Sequence, residues 1–366
     1  TNKMAPAAVR CCLAVVRWLP VIFITAVVVW SYYAYVVIMC IFTVDSVAEK
    51  VIYLLLYHPI LFMFGWAYWK TIFTEPGSVP KQFYLSASDV TRFETADSED
   101  QQRQILENFA RNLPIQCRTN TGAVRYCEKC KCVKPDRGHH CSVCSRCILK
   151  MDHHCPWVNN CVCFTTYKFF ILFLGYGLVY CLYVALTSLK YFIQFWTNIG
   201  NPKGASGMEK FHILFLFFAA IMFAISLVSL FGYHCFLVSV NRSTLESFRS
   251  PIFRSGPDKD GFSLGRSINF QEVFGDDRKM WFLPVFTSRG DGVTYPTRVP
   301  QPTPNYNTMD STPTNPSMGD GVTFPVRTID EDFDSLLGQR QRWMEEGEAD
   351  NIAGYENKGL ESGSRT

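Results

Sequence analysis

Net charge is scarce in this chain of 366 residues, where 35 Lys and Arg face 32 Asp and Glu for a formal balance of +3. That is too little to suggest nucleic acid, and the segment from 75 to 167 balances its own bases with acids, so the basic residues read as solvated charge near anionic lipid headgroups. The first apolar block is not expected to be a cleavable leader either. It is too long for a signal peptide, has no small-residue cleavage site, and is followed after a short turn by a second block. No solenoid repeat offers an array for partners. What the chain does have is apolar residues gathered into blocks, so an average hydropathy near zero hides a split between membrane and soluble parts.

Four blocks reach the roughly 20 apolar residues a hydrocarbon core requires: about Trp18 to Phe42, Val51 to Phe73, Tyr167 to Trp196 and Phe211 to Val240. Basic residues near span ends set orientation. Lys3, Arg10 and Arg17 precede the first span and Arg242, Arg249 and Arg254 follow the fourth, whereas the short connections hold only Lys50 and Lys203 with Lys210. Both termini and the 75–167 segment are therefore expected in the cytosol.

The 15 cysteines fit that compartment. Nine, counting Cys163, cluster with histidines between Cys127 and Cys163, and on a reducing side this argues for thiolate ligation rather than disulfides. Cys40, Cys181 and Cys235 read as apolar packing, and Cys11 and Cys12 sit at the membrane edge, where acylation is conceivable. Residues 75 to 115 are polar with a helix-like run around Ser98 to Leu113. The cysteine-rich stretch has little helical or strand periodicity, so metal rather than a core should order residues 117 to 165. From about Pro300 the composition reads as a disordered tail.

The stretch "CEKCKCVKPDRGHHCSVCSRCILKMDHHCPWVNNC", Cys127 to Cys161, packs eight cysteines and four histidines into thirty-five residues. Cys127 with Cys130, and Cys141 with Cys144, form two Cys-x-x-Cys knuckles, each needing two more ligands for a tetrahedral zinc. Cys132, His139, His140, Cys147, His153, His154, Cys155, Cys161 and Cys163 are available, more than two closed sites can use. At least one Cys and one His must stay unligated.

This stretch closely resembles the cysteine-rich domain of the DHHC-type protein S-acyltransferases (palmitoyltransferases). The resemblance continues through "YKFF" entering the third span, "STLE" after the fourth and "NFQEVFG" beyond it, spanning roughly residues 15 to 290. The lack of ankyrin repeats is similar to the smaller members. The fold implied is an all-α polytopic membrane protein, four transmembrane helices with a cytosolic two-zinc cysteine-rich domain between the second and third. Its expected layout is an N-terminal segment at 1–17, helices 1 and 2 over 18–74, linker and zinc domain over 75–166, helices 3 and 4 over 167–240, a C-terminal segment packing on the core over 241–299, and the tail over 300–366.

The resemblance implies a first zinc site of Cys127, Cys130, His140 and Cys147 and a second of Cys141, Cys144, His154 and Cys161. Both are closed and so structural, which leaves Asp152, His153 and Cys155 for chemistry, with Cys132 and His139 surplus. The implied reaction moves a long-chain acyl group, palmitoyl preferred, from fatty acyl-CoA to Cys155 and then to a cysteine of a membrane-associated protein, without redox cofactor or nucleotide energy. His153 would accept the thiol proton and Asp152 would orient the imidazole. The expected location is the Golgi, another endomembrane or the plasma membrane.

Arg125, Lys134 and Arg137 are candidates for CoA phosphates. "STLE" has the form of a capping box, while its resemblance to a family motif implies a contact of Thr244 and Glu246 with the catalytic module. Asn269 is implied to hold a structural hydrogen bond. Trp157 can stand at the membrane interface. Phe170, Phe173, Gly177 and Tyr180 share one helical face at i, i+3, i+7 and i+10, and Ser31 lies at a depth matching Tyr180, so these residues, with Trp157, are expected to form an acyl-chain site floored by Ser31 and Tyr180. Departures from the family are Cys163 and Thr166 in a Gly-x-x-Asn, Glu75 in an Asp-Pro-Gly, and Ser243 for a Thr. Cys163 would occupy a position that can require positive φ.

Two other classes compete. A membrane-anchored zinc scaffold would use the eight ligands but would have no use for Asp152, His153 or Cys155. A transporter would want polar or broken helices at mid-bilayer, for which His58-Pro59 and His212 are the few hints, and these read better as a Pro kink and a span-end His.

Overall fold

The computed structural model describes residues 7–197 and 207–298, with side chains from 14 and from 210 onward in the first and fourth helices. Lys3, Lys203, the 300–366 tail and the side chains of Arg10, Cys11 and Cys12 lie outside the described residues.

Among the described residues four helices are long and apolar enough to cross a membrane. The first, α1 (Ala7–Tyr32), continues as eleven residues of wider helix, Tyr33–Thr43. There Thr43 Oγ1 and the Val44 N–H both reach back five residues, to the carbonyls of Ile38 and Met39. The second, α2 (Val47–Phe73), starts on the Ser46 cap, whose hydroxyl accepts from the Glu49 N–H. Two short amphipathic helices follow, α3 (Ala87–Glu94) and α4 (Glu99–Ala110), capped by Ser86 and Ser98. The remaining spans are α5 (Tyr167–Thr197) and α6 (Gly207–Ser239). The short α7 (Thr244–Phe248), a two-residue hairpin β7 (Ile252–Phe253) with β8 (Gly256–Pro257), and α8 (Arg266–Phe274) complete the fold.

Packing among the spans is uneven. α5 lies along both α6 and α2, whereas α1 meets α6 mainly through the wider 33–43 segment. The core there gathers Tyr35, Met39 and Tyr57 with Tyr180, Val184 and Leu216.

Between α2 and α5 the chain forms three antiparallel hairpins, a regularity that apolar periodicity did not announce. They are β1 (Tyr126–Cys127) with β2 (Cys132–Val133), β3 (His139–Cys141) with β4 (Arg146–Ile148), and β5 (His153–Cys155) with β6 (Asn160–Val162). The strand-closing pairs are Cys127 opposite Cys132, Cys141 opposite Arg146 and Cys155 opposite Asn160. Each turn has four residues and ends in a left-handed residue, Lys131 (φ 55°), Ser145 (φ 54°) and Asn159 (φ 45°). The three turns thus recur every 14 residues, as a short repeat of sequence and backbone together.

The strained backbone expected at Cys163 is not found, since Cys163 is not among the positive-φ residues. Thr166 organises this turn: its hydroxyl accepts from the Cys163 N–H at 3.0 Å and donates to the Cys161 carbonyl at 2.8 Å.

Candidate active site and metal centres

Alternation along the strands sorts the cysteines and histidines. Successive strand residues point to opposite faces, so His140 and Cys141 part company on β3, and His154 parts from His153 and Cys155 on β5. Register then places His140 directly opposite Cys147 and His154 directly opposite Cys161. Each His/Cys pair meets the knuckle of the preceding hairpin, and two clusters result: Cys127, Cys130, His140 and Cys147, and Cys141, Cys144, His154 and Cys161. In the first, His140 Nδ1 lies 3.6, 3.2 and 4.0 Å from the three sulfurs. In the second, His154 Nδ1 lies 3.7, 3.6 and 3.5 Å from its sulfurs, and Cys144 and Cys161 sulfurs are 3.5 Å apart. A tetrahedron with Zn–S of about 2.3 Å and Zn–N of about 2.0–2.1 Å has edges of about 3.5–3.8 Å. Donor set and spacing both fit zinc.

The other face of β5 carries different chemistry. His153 Nδ1 lies 2.6 Å from Asp152 Oδ2, and Cys155 stands two residues further along β5, on the same face as His153. Asp152 is 2 % exposed and accepts from both the backbone N–H and the hydroxyl of Thr244, each at 2.8 Å. Burial pushes the Asp152 carboxyl up, but His153 and Thr244 outweigh it and hold the group below the usual range. Burial likewise pushes His153 down, yet its bond to Asp152, with the nearby Cys155 sulfur, prevails and raises it to about 9. The imidazolium that would form on taking the thiol proton is therefore stabilised where it stands.

Thr244 is delivered by α7. Ser243 and Glu246 make a full capping box, in which the Ser243 hydroxyl accepts from Glu246 N–H and Glu246 Oε2 accepts from Ser243 N–H. The capping role and the contact with the catalytic module therefore coexist. Glu246 also receives Arg137 in a forked pair at 2.8 and 2.6 Å. Arg137 donates further to the side chain and carbonyl of Asn241, and its guanidinium lies over the rings of Phe262 and Tyr295. Burial raises the Glu246 carboxyl, but Arg137 overcomes this and holds it low. Arg137 as a free phosphate ligand is thus corrected: at 2 % exposure its donors are spent on locking α7 to the hairpins.

Arg125 and Lys134 line an open pocket of about 430 Å³ with Arg118, His139 and Arg249. Arg118 Nη1 is buried there without a partner among the described residues. Burial, then the charge of Arg125 and that of Lys134, push His139 down to about 4. Asn269 is fully buried, donates to the Ser239 carbonyl and the Ser263 hydroxyl, and accepts from Leu264 N–H, tying the end of α6 to the start of α8.

Cys155 packs in one apolar cluster with Phe64, Tyr68, Phe170 and Phe173. Below it an apolar cavity among the spans is lined by Phe64, Phe173, Gly177, Tyr180, Ser31 and Leu216, among others. Its polar end is a chain of hydroxyls: Ser31 Oγ to Tyr180 OH at 2.7 Å, and Tyr180 OH to Tyr57 OH at 2.8 Å. The space beside Gly177 is taken by Phe64, which would stand 3.2 Å from an added Cβ. Two expectations for the cavity change. Phe170 does not line it; its ring packs edge-on at 5.4 Å against His153 and 5.0 Å against His234. Trp157 is half exposed, with its carbonyl accepting from Tyr68 OH and its ring 6.5 Å from that of Phe23.

Tyr57 and His234 escaped the sequence reading. His234, 2 % exposed on α6, shares a hydrogen bond with Tyr167 OH at 3.2 Å and offers a ring nitrogen within 4.8 Å of the ligand atoms of Asp152 and His153. The only available signal was a histidine inside an apolar span, which tends to face a functional interior.

A family profile described as DHHC palmitoyltransferase matches residues 120–251. Palmitoyltransferase ZDHHC20 of Homo sapiens is 52% identical over 354 residues, 95% of this chain and 96% of that protein. Palmitoyltransferase ZDHHC2 of Rattus norvegicus is 51% identical over 340 residues, covering 92% and 91%, and palmitoyltransferase ZDHHC15 of Xenopus laevis is 54% identical over 294 residues, covering 80% and 86%.

Proposed function

The chain belongs to the DHHC palmitoyltransferase family and is a protein-cysteine S-palmitoyltransferase, and from this premise we propose that Cys155 carries the acyl group between donor and substrate. The observation that carries the assignment is the division of β5, with His154 turned to a thiolate cluster while His153 and Cys155 share the other face beside Asp152.

The donor is a fatty acyl-CoA. As its thioester carbonyl approaches, His153 takes the Cys155 proton and the sulfur attacks; the carbon–sulfur bond to CoA breaks and His153 gives the proton to the departing CoA thiolate. A substrate cysteine then attacks the acyl-Cys155 thioester by the same route in reverse, and Cys155 leaves as the thiol. Asp152 stays ionised and holds the imidazole in place, itself fixed by Thr244. Two zinc ions, one in each closed cluster, serve structure: they fix β3 and β5 and so aim the free side of β5.

CoA phosphates fit the basic pocket through Arg125, Lys134, Arg249 and the unpartnered donor of Arg118, with Arg137 reinforcing its wall. The alkyl chain fits the cavity beneath Cys155, and Ser31 and Tyr180 set its depth. The basic residues flanking the first and fourth spans support a cytosolic site and cytosolic termini, where soluble donor and membrane-bound protein substrates meet.

Incubation of purified protein with labelled palmitoyl-CoA, followed by peptide mapping, tests the reading. A hydroxylamine-labile label on Cys155 is expected, and a stable label confined to other cysteines would overturn it.

A further inference from the structure

The wall of the acyl cavity is thin at one place. Trp30 and Ala219 line the cavity and also line a second, lipid-facing groove with Phe215, Phe218 and Met222. This place is the seam between α1 and α6, where the helices hardly pack on each other. A polar latch crosses it: Trp30 Nε1 donates to His212 Nδ1 at 3.3 Å, and the Tyr33 ring meets His212 edge-on at 5.5 Å. A histidine within an apolar span is a candidate functional residue whose partner must be named, and here the partner is the Trp30 indole on the opposite side of the seam. The position is telling as well, because Trp30 adjoins Ser31 in the floor and so borders the end of the alkyl chain.

We propose that Trp30, held by His212, is a side gate between the acyl cavity and the bilayer, and that the occupant of the outer groove is the far end of the donor's alkyl chain. The inference rests on the reading of the cavity as the acyl site. That the two spaces share Trp30 and Ala219 as a common wall favours this occupant over an unrelated lipid. With the gate shut, chain length is measured against the Ser31 and Tyr180 floor. With the gate open, a tail that overruns the floor turns out into lipid and is no longer measured.

The gate and the floor make different signatures. Acyl-CoAs of 14 to 24 carbons are competed against palmitoyl-CoA on the full-length protein in lipid vesicles, and the ratio of each acyl-Cys155 adduct to the palmitoyl adduct is read by mass spectrometry. Tyr180→Ala should move the optimum by a few carbons and keep a ceiling. Trp30→Ala should remove the ceiling, raising the ratio for the longest donors about tenfold or more, a scale set by the 1–3 kcal/mol that a misfitting methylene costs in an apolar pocket. His212→Leu, which keeps the indole and removes only the latch, should do the same to a smaller degree. This second variant decides the matter if Trp30→Ala fails to fold. A shifted profile in Tyr180→Ala with the ceiling intact in His212→Leu and in any folded Trp30→Ala would overturn the gate alone. Unchanged profiles in all three would overturn the gate together with the acyl cavity itself.

Discussion

Hairpins β3–β4 and β5–β6 begin on nearly the same words, Gly138-His139-His140-Cys141 and Asp152-His153-His154-Cys155, and on the same backbone. In both, the second histidine turns to a metal cluster. In the earlier hairpin the following cysteine also joins a cluster that fits a metal, because Cys144 stands three residues on and completes the knuckle. In the later one that place is held by Val158, fully buried in the core, so Cys155 has the geometry of a knuckle cysteine with no partner thiolate. The residue ahead differs too: Gly138 offers nothing to His139, whereas Asp152 binds His153. The comparison suggests that a nucleophile can be made from a ligand position by removing one cysteine and adding one carboxylate.

Four substitutions strain this comparison, from largest effect to smallest. His154→Ala should release one zinc and unfold the hairpins, with all transfer lost, since structural zinc contributes about 10–16 kcal/mol to small folds; metal analysis reads it directly. Val158→Cys should restore a third Cys-x-x-Cys and draw Cys155 into thiolate ligation or a disulfide. Loss of acylation with full zinc content and fewer titratable thiols, or more than two metals, is the expected pattern, and unimpaired transfer would count against the ligand-position argument. His153→Ala should retain both zincs and slow acylation by about 10²- to 10⁴-fold, measured in single turnover. Thr244→Val removes one hydroxyl from Asp152 and should cost about 10- to 100-fold, the scale of a hydrogen bond to a charged group.

Much of this site was legible because its signals are local. The two Cys-x-x-Cys knuckles and four apolar blocks follow from counting along the chain, the sorting of the remaining ligands followed from the family resemblance, and the Ser31 and Tyr180 hydroxyls placed at matching depth do meet, at 2.7 Å. Residues whose role comes from folding at a distance were less legible. Arg137 reads as a loose cation until Glu246, 109 residues later, closes on it. Phe170 shares a helical face with the cavity residues, but its ring is drawn against His153 and His234. The 14-residue recurrence stayed hidden because its strands are two or three residues long, too short for alternation to show, and its strongest mark is a positive φ that Lys131, Ser145 and Asn159 do not announce.

The central claim is that Cys155 is excluded from the metal cages and is free for acyl transfer. The direct measurement is native mass spectrometry of Cys155→Ser after exposure to palmitoyl-CoA, reading metal content and acyl adduct in one spectrum. Two zinc ions and no hydroxylamine-labile adduct are predicted; a variant that loses zinc, or that still carries and transfers a palmitoyl group, would contradict the claim.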